Sequence, residues 1–449
     1  MEKNLQSPSI DTYLEEIDEK LAKIAAEEQK MIDQDKYQTF SLGESTEPES
    51  LLDVTTSHFI ATKLGVDLDT EKALENRIQE FKKNQTKQIQ NYLEESKRKK
   101  SSKDHFLYIL NGWNTQETQN TLISQSRQTC GGFFIRWNGM GIVLNPGANF
   151  LENFHNQGLY INDIHYVIVT QDSKEADADI KKIYDLNYQL NKVSPELHII
   201  HYYLNHQAYQ KLSHKLKPNF KQERSTVHSL ELFLDSPDVE NEELAEGIQL
   251  SYFSTSSRGG YSANNEYQEP SKNRQPACVG IRLDLSSTNS YRTGAETIRL
   301  GYISGSAWSP LIAHHLGICD LLIAGFGTTH SSDYGKLNYN ENSLGYFGTY
   351  TLFEELKPKL LLCTEFDGSE GDIRLEVTRK MRKEYQKSHS ESKGQPAIFP
   401  ADNGLFIDLK TQNIECSITK KLLDPKEVIV MKSADAYGKL QYLSPSCIL

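Results

Sequence analysis

The stretch from residue 130 to residue 180 constrains the fold more than any other part of this sequence. It contains three apolar runs, rich in Phe, Ile or Val and bounded by Gly, Pro or Asn, at 130–139, 141–147 and 163–170. Runs of this composition between such residues are typical of β-strands. A short helix is predicted at 150–154, so the stretch is predicted to be a strand–strand–helix–strand unit.

Apolar runs and helical patterns continue to alternate after this stretch. Further strands are predicted at 197–201, 278–283, 298–303, 319–324 and 359–366, and helices are predicted near 180, 314 and 344. The alternation indicates an α/β fold, in which the strands at 278–283 and 298–303 form an antiparallel pair. The acidic segment 234–246 is predicted to be a loop.

Residues 1–104 differ in composition from the rest, being rich in Glu, Lys and Gln and poor in Gly and Pro. Their apolar residues recur at helical spacing in three groups: Leu14, Ile17, Leu21 and Ile24; Leu74, Ile78 and Phe81; Ile89, Tyr92 and Leu93. This pattern predicts two or three amphipathic helices. We therefore expect a helical N-terminal extension at 1–104 and a main domain at 105–449. The extension either packs on the main domain or acts as an arm for a protein partner or for self-association.

Composition excludes several classes of protein. The formal net charge of −12 argues against a broad nucleic-acid-binding surface, although it leaves room for a local basic groove. The six cysteines contain no C-x-x-C pair, which argues against a zinc ribbon and fits reduced thiols in a cytoplasmic protein. No apolar run approaches the ~18 residues that a membrane span requires, so no membrane partner is expected.

The order of elements from 105 to 410 resembles the metallo-β-lactamase-fold hydrolase superfamily. In that superfamily a strand ending in Thr is followed by the loop His-x-His-x-Asp-His, which holds a dinuclear metal site. Here Thr170 ends the third strand of the opening stretch. The resemblance implies an α/β protein with a four-layer αββα metallo-β-lactamase-like sandwich and a helical N-terminal extension.

The superfamily's ligand positions carry residue types that bind zinc poorly. Under the resemblance, the positions fall on Gln171, Ser173, Glu175 and Ala176 in the first loop, then on Ser306, Ser343 and Glu365. Imidazole and carboxylate ligands hold zinc, whereas amide and hydroxyl oxygens are weak donors. Losing several ligands should abolish zinc binding at ordinary concentrations. The resemblance therefore implies a degenerate metal site.

Acidic residues near these positions could form a different site. The candidates are Asp172, Glu175, Asp179, Glu365 and Asp367, with Asp177 and Asp372 nearby. Clustered carboxylates without histidine favour hard ions, so Mg²⁺ or Mn²⁺ is expected here rather than Zn²⁺. The alternative is that Asp177 and Asp179 take no part in metal binding and are either solvated or cap the helix that begins near 179.

The sequence is compatible with three functions. The first is a pseudoenzyme, a non-catalytic scaffold or partner-binding subunit. The second is a divergent metal-dependent hydrolase acting on a phosphodiester, nucleic acid or nucleotide. Similarity of the Gly-Trp-Asn, Gly-Gly-Phe-Phe-Ile-Arg-Trp and Glu-Asn-Phe segments to proteins of prokaryotic defence gene clusters favours nucleic acid as that substrate. The third is a nucleotide or small-ligand sensor, with loops 115–129 and 254–276 and Arg258 at the pocket rim.

Overall fold

A computed structural model describes most of the chain after residue 67. The described residues are 68–98, 103–112, 131–194, 196–216, 226–232, 239–255, 278–287, 297–328, 343–367, 372–389, 396–433 and 439–448. The predicted helical pattern at 14–24, the loop 115–129 and Arg258 lie outside them. The chain forms two compact units, Met1–Phe81 and Lys82–Leu449. The predicted domain boundary at residue 104 stays a prediction.

Among the described residues, the first sheet has nine strands. They are β1 (Phe106–Ile109), β2 (Phe133–Trp137), β3 (Met140–Leu144), β4 (Tyr166–Val169), β5 (His201–Asn205), β6 (Val227–Leu230), β14 (Leu405–Asp408), β15 (Ile414–Glu415) and β16 (Leu422–Leu423). Their order is β16-β15-β14-β1-β2-β3-β4-β5-β6. Strands β3 to β6 run parallel, so their carboxyl ends lie at one edge of the sheet.

The described part of the chain contributes seven strands to the second sheet. They are β7 (Val239–Ala245), β8 (Ile248–Ser254), β9 (Val279–Leu285), β10 (Ile298–Ile303), β11 (Leu321–Thr328), β12 (Leu360–Asp367) and β13 (Ile398–Pro400), in the order β13-β12-β11-β10-β9-β8-β7. Strands β10 to β13 are parallel, and β9 pairs with β10 antiparallel as predicted. A separate hairpin joins β17 (Ile429–Lys432) to β18 (Leu440–Leu443).

The helices of the described ranges are α1 (Leu68–Arg98), α2 (Phe150–Asn156), α3 (Lys174–Asp177), α4 (Ile180–Val193), α5 (His206–Leu212), α6 (Pro310–Leu316), α7 (Gly345–Leu356) and α8 (Arg374–Ser388). Helices from α2 to α8 and the second half of α1 cover the outer faces of the two sheets. Among the helices of the described ranges, none is long and apolar enough to cross a bilayer.

Three apolar cores define the layers. One core joins the facing sides of the two sheets, through residues such as Ile168 and Ile323. A second lies between the nine-stranded sheet and α2, α4 and α5, and a third lies between the seven-stranded sheet and α6, α7 and α8. Alternate residues of central strands such as β4 and β11 therefore enter different cores, as the two-residue period of a strand requires. The result is the predicted four-layer αββα sandwich.

The apolar groups at 74–81 and 89–93 belong to one continuous helix, α1, which agrees with the smaller of the two predicted helix numbers. Two local predictions need correction. Strand β5 begins at His201 instead of 197, because the Asn191 side chain bonds both the N–H and the C=O of His198. The acidic segment 239–245 is strand β7, whose backbone pairs with β8 at the sheet edge while its acidic side chains stay at least partly exposed.

Candidate functional site

The two sheets meet where several of their strands end. Backbone hydrogen bonding links the residues that follow β4 to the start of β9: Val279 N–H donates to Thr170 O at 3.0 Å, and Gln171 forms an isolated bridge with Cys278. Carboxyl ends of parallel strands are the usual location of sites in α/β sheets. The superfamily resemblance also places its ligand loops at this edge.

The Glu365 carboxylate on β12 is the centre of a polar cluster at this edge. Tyr302 Oη, on β10, donates to Glu365 Oε1 at 2.5 Å, and Ser304 Oγ donates to Glu365 Oε2. Burial raises the pKa of Tyr302 well above its usual value, and the Glu365 charge and the hydrogen bond to it raise the pKa further. The Tyr302 hydroxyl therefore stays protonated and remains a donor.

Asn145 ties this cluster to the nine-stranded sheet. Its Nδ2 donates to Tyr302 Oη at 2.7 Å and to Thr170 Oγ1 at 2.9 Å, while its Oδ1 accepts the Thr170 N–H at 2.8 Å. Asn145 has a left-handed backbone, with φ of 47°, which Asn adopts more readily than most residues. The Asn-Pro-Gly turn after β3 therefore aims this amide into the space between the sheets.

Gln171 holds the other side of the cluster. Its Nε2 donates to Ser304 Oγ at 3.4 Å, and its Oε1 lies 3.5 Å from Cys278 Sγ. A Cβ at Gly305 would fall 1.6 Å from Gln171 Oε1, so only glycine allows this approach. Burial and then the Glu365 charge raise the pKa of Cys278 to about 11, which keeps the thiol protonated and unreactive.

The backbone around Glu365 is adapted to this arrangement. Glu365 has φ of 53° inside a strand, an uncommon conformation for a residue other than glycine. A Cβ at Gly325, on the neighbouring strand β11, would lie 2.6 Å from Glu365 Oε2. The strained backbone at Glu365 and the absence of a side chain at Gly325 thus allow this carboxylate to reach the Tyr302 and Ser304 hydroxyls.

The remaining positions predicted from the superfamily have different environments. Ala176 is fully buried in the apolar core between the nine-stranded sheet and its helices. Ser343 packs against Gly327 of β11. The Oγ atoms of Ser173 and Ser306 are buried and make no hydrogen bond to any residue that the structure describes. Gln171 and Glu365 are therefore the predicted positions that the hydrogen bonds bring together.

Most of the predicted hard-metal carboxylates contact cations or backbone elsewhere. Lys211 Nζ lies 2.7 Å from both Asp172 Oδ1 and Asp177 Oδ2. Asp179 Oδ2 accepts the N–H of Leu151 in the first turn of α2, and Asp179 Oδ1 pairs with Lys182 at 2.7 Å. Asp179 thus bonds a helix start, as the alternative prediction held, but the helix is α2 rather than its own.

Of the other acidic candidates, one forms an ion pair, and the side chains of two are not described. Asp372 is held by the guanidinium of Arg374 through bonds of 2.8 and 2.9 Å, so it belongs to an ion pair. The side chains of Glu175 and Asp367 lie outside the described part of the structure, and their part in a metal site stays a prediction.

Similarity to known proteins is visible only in the fold. No protein-family model and no curated protein sequence matches the chain. YhfI from Bacillus subtilis, a metallo-β-lactamase fold protein, is 13% identical with a TM-score of 0.44, covering 67% of this chain and 98% of that one. Human tRNase Z, short form, is 10% identical with a TM-score of 0.44, covering 68% and 99%. A diphosphatase from the PhnP family is 13% identical with a TM-score of 0.42, covering 67% and 96%.

Two facing sheets, helices on both outer faces and a polar cluster at the strand ends complete the predicted architecture. The chain has the four-layer αββα architecture that the superfamily resemblance implied. Under that resemblance, three zinc positions carry an amide and two hydroxyls, at Gln171, Ser173 and Ser306. These groups are weaker zinc donors than imidazole and carboxylate, so these three side chains fit a dinuclear zinc centre poorly. Within the described ranges, no group of three or more His, Cys, Asp and Glu residues could hold a metal ion.

Sequence reasoning missed four residues that build the cluster: Asn145, Tyr302, Ser304 and Cys278. A partial signal existed, because Asn145 begins an Asn-Pro-Gly turn directly after a strand and Tyr302 and Ser304 alternate at the end of another. What the sequence did not contain was the contact between sheets, which depends on residues up to 157 positions apart.

Proposed function

We propose that this chain is a non-hydrolytic protein of the metallo-β-lactamase fold, in which the metal site is degenerate and a hydrogen-bonded side-chain cluster occupies its place. Its role is then that of a scaffold or partner-binding subunit. The observation that carries the proposal is that both oxygens of Glu365 accept hydrogen bonds from hydroxyl groups, Tyr302 Oη and Ser304 Oγ.

The direction of the hydrogen bonds supports this proposal. The Asn145 amide donates to the Tyr302 hydroxyl, and the Gln171 amide donates to the Ser304 hydroxyl, so each donor of Glu365 is itself held by an amide. A connected network of this kind stabilises the partly buried Glu365 carboxylate without a cation. Each hydroxyl thus has its partners inside the protein, and none of these hydrogen bonds depends on a metal ion.

A hydrolysis assay tests the catalytic half of the proposal. The full chain is incubated with an activated phosphodiester and with single-stranded nucleic acid in the presence of Mg²⁺, Mn²⁺ or Zn²⁺. We expect the same rate from the unmodified chain, from Glu365→Gln and from the solvent-side control Glu384→Gln. Metal-dependent cleavage that Glu365→Gln abolishes and Glu384→Gln retains would overturn the proposal and favour a divergent hydrolase.

Helix α1 supports the binding half of the proposal. Its second half packs on the main domain through Ile89, Tyr92 and Leu93, as one apolar stripe of an amphipathic helix should. Its first half continues that pattern with large side chains in solvent: Leu74 is 61% exposed, Ile78 45% and Phe81 64%. An exposed apolar stripe of this kind commonly marks a contact surface.

We propose a second copy of this chain as the occupant of that stripe. The spacing of Leu74, Ile78 and Phe81 is the four-then-three spacing of helices that pair side by side. The charges along one edge of the stripe are also complementary between two copies of the chain. In an antiparallel pair whose axis passes between residues 78 and 79, Glu75 of each copy faces Lys82 of the other, so the pairing contains two such opposite-charge contacts.

Size-exclusion chromatography coupled to light scattering measures the mass of the chain in solution and tests this pairing. We expect a concentration-dependent dimer that Leu74→Glu with Ile78→Glu converts to monomer. Asn76→Glu with Gln90→Glu adds the same charge on the opposite face of α1 and should leave the dimer intact. A monomer at all concentrations, or a dimer unaffected by the first pair of substitutions, would refute a second copy as the occupant.

A further inference from the structure

Two cysteine side chains lie next to each other near the end of the chain, away from the Glu365 cluster. Cys416 directly follows strand β15, and Cys447 ends the short 3-10 turn Pro445–Cys447. Their sulfur atoms are 3.8 Å apart, close enough for one thiol to donate to the other. A disulfide needs an S–S distance of about 2.05 Å, so a small movement of the one-turn C-terminal segment would join them.

The environment of Cys416 favours its thiolate. Burial alone would raise the pKa of Cys416, but hydrogen bonds from Thr419 and from the backbone of Ser444 and Ile418 outweigh it and lower the pKa to about 6. The Thr419 N–H lies 3.5 Å from Cys416 Sγ. At neutral pH this sulfur is therefore a nucleophile, because the thiolate and not the thiol attacks sulfur.

The other cysteines with a described environment differ from Cys416. Burial raises the pKa of Cys319 and Cys363 to about 12 and that of Cys278 to about 11, so these thiols are inert at neutral pH. Cys447 is partly exposed whereas Cys416 is fully covered. A reagent in solution thus reaches Cys447 first, and Cys416 is positioned to react with the product.

We propose that Cys416 and Cys447 form a reversible disulfide in the folded protein, with a peroxide as oxidant. The Cys447 sulfur attacks one peroxide oxygen, the O–O bond breaks, and a sulfenic acid forms on Cys447 with release of water or an alcohol. The Cys416 thiolate then attacks that sulfur, and hydroxide leaves as water after protonation. The two thiols lose two electrons and two protons in total, which the peroxide takes up.

The disulfide would fix the C-terminal hairpin to the sandwich. The residues between the two cysteines include β16, β17 and β18. The hairpin already contacts the end of β13 and the segment that follows it, since Tyr442 Oη donates to Pro400 O at 2.7 Å and Leu440 N–H donates to Asp402 Oδ2 at 2.6 Å. Closing a covalent loop around it restricts the unfolded chain, so the oxidised protein should unfold at a higher temperature.

Peroxide titration of the reduced full-length chain tests the proposal. We expect the loss of two thiols and about 2 Da per chain, a 416–447 cross-linked peptide in a non-reducing digest, and a rise in Tm of a few degrees that a dithiol reverses. Cys416→Ser and Cys447→Ser should each abolish the cross-link and the Tm shift. Cys278→Ser, which removes another partly exposed thiol, should leave both unchanged.

Two other results would overturn the proposal. One is accumulation of sulfinic acid on Cys447 without that loss of mass, which would mean that Cys416 does not reach it in time. The other is a cross-link that joins either cysteine to a different residue or to a second chain. Because the readouts are mass and Tm, they are independent of hydrolytic activity and of the α1 pairing.

Discussion

Two clusters of buried polar side chains in this protein stabilise carboxylates in different ways. At the strand ends, Glu365 accepts hydrogen bonds from the neutral hydroxyls of Tyr302 and Ser304. At the start of α8, the Arg374 guanidinium, only 2% exposed, binds Asp372 and lies 3.1 Å from Asp402. One cluster satisfies its carboxylate by hydrogen bonding and the other by charge. The comparison shows that a carboxylate held away from solvent in this protein is not sufficient evidence of a metal site.

Removing the Arg374 guanidinium should have the largest effect on the free energy of unfolding. Arg374→Met leaves the buried Asp402 and the partly exposed Asp372 beside each other without the guanidinium that binds both, and breaking a buried pair in this way costs about 3–5 kcal/mol. Chemical denaturation measures the free energy of unfolding. Lys432→Met is the matched control, because Lys432 also contacts Asp372 but is far more exposed, and it should cost about 0–1 kcal/mol. Equal losses in the two variants would show that charge balance is not what Arg374 supplies.

Removing the neutral hydroxyl of Tyr302 should reduce the free energy of unfolding by a smaller amount. Tyr302→Phe keeps the ring but deletes the hydroxyl, so Glu365 Oε1 and the buried Asn145 amide each lose a partner inside the protein. We expect a loss of about 1–3 kcal/mol in the same denaturation measurement. Tyr346→Phe, whose hydroxyl contacts Glu384 at the surface, should lose less. A loss with Tyr302→Phe as large as that with Arg374→Met would remove the distinction between the two clusters.

A third buried group should make stability depend on pH to a lesser degree. Burial, followed by the neighbouring His198, lowers the pKa of His165 to about 4, and its Nδ1 accepts the Gly141 N–H at 3.0 Å. The unfolded imidazole has a pKa of about 6.5, so the unfolded state binds more protons between these values. The contribution of His165 is therefore complete above about pH 6.5 and declines as the pH falls towards 4.

Thermal unfolding across this pH range measures the decline. His165→Asn replaces the titrating ring with an amide whose oxygen can still accept the Gly141 N–H, so its Tm should fall less steeply between pH 6.5 and 4 than that of the unmodified chain. Parallel curves for the two proteins would show that His165 does not contribute to the acid response.

The architecture could be predicted from the sequence because it depends on local patterns. Apolar runs identified strands β2 to β5 and β9 to β12, and the superfamily resemblance placed Glu365 at the edge where the cluster lies. The partners of Glu365 could not be predicted, because Tyr302 and Asn145 reach one another only when two sheets face each other. The surroundings of the acidic candidates were hidden for a related reason: the sequence shows that Asp172 and Asp372 are charged, but not that Lys211 and Arg374 lie beside them.

Metal content after equilibration is the measurement that tests the central claim most directly. The unmodified chain and Glu365→Gln are each equilibrated with Zn²⁺ and, separately, Mn²⁺, freed of unbound ions, and analysed by elemental mass spectrometry. A cluster satisfied by hydrogen bonds predicts well under one ion per chain in both proteins. One or more ions per chain in the unmodified protein, lost in Glu365→Gln, would contradict the account.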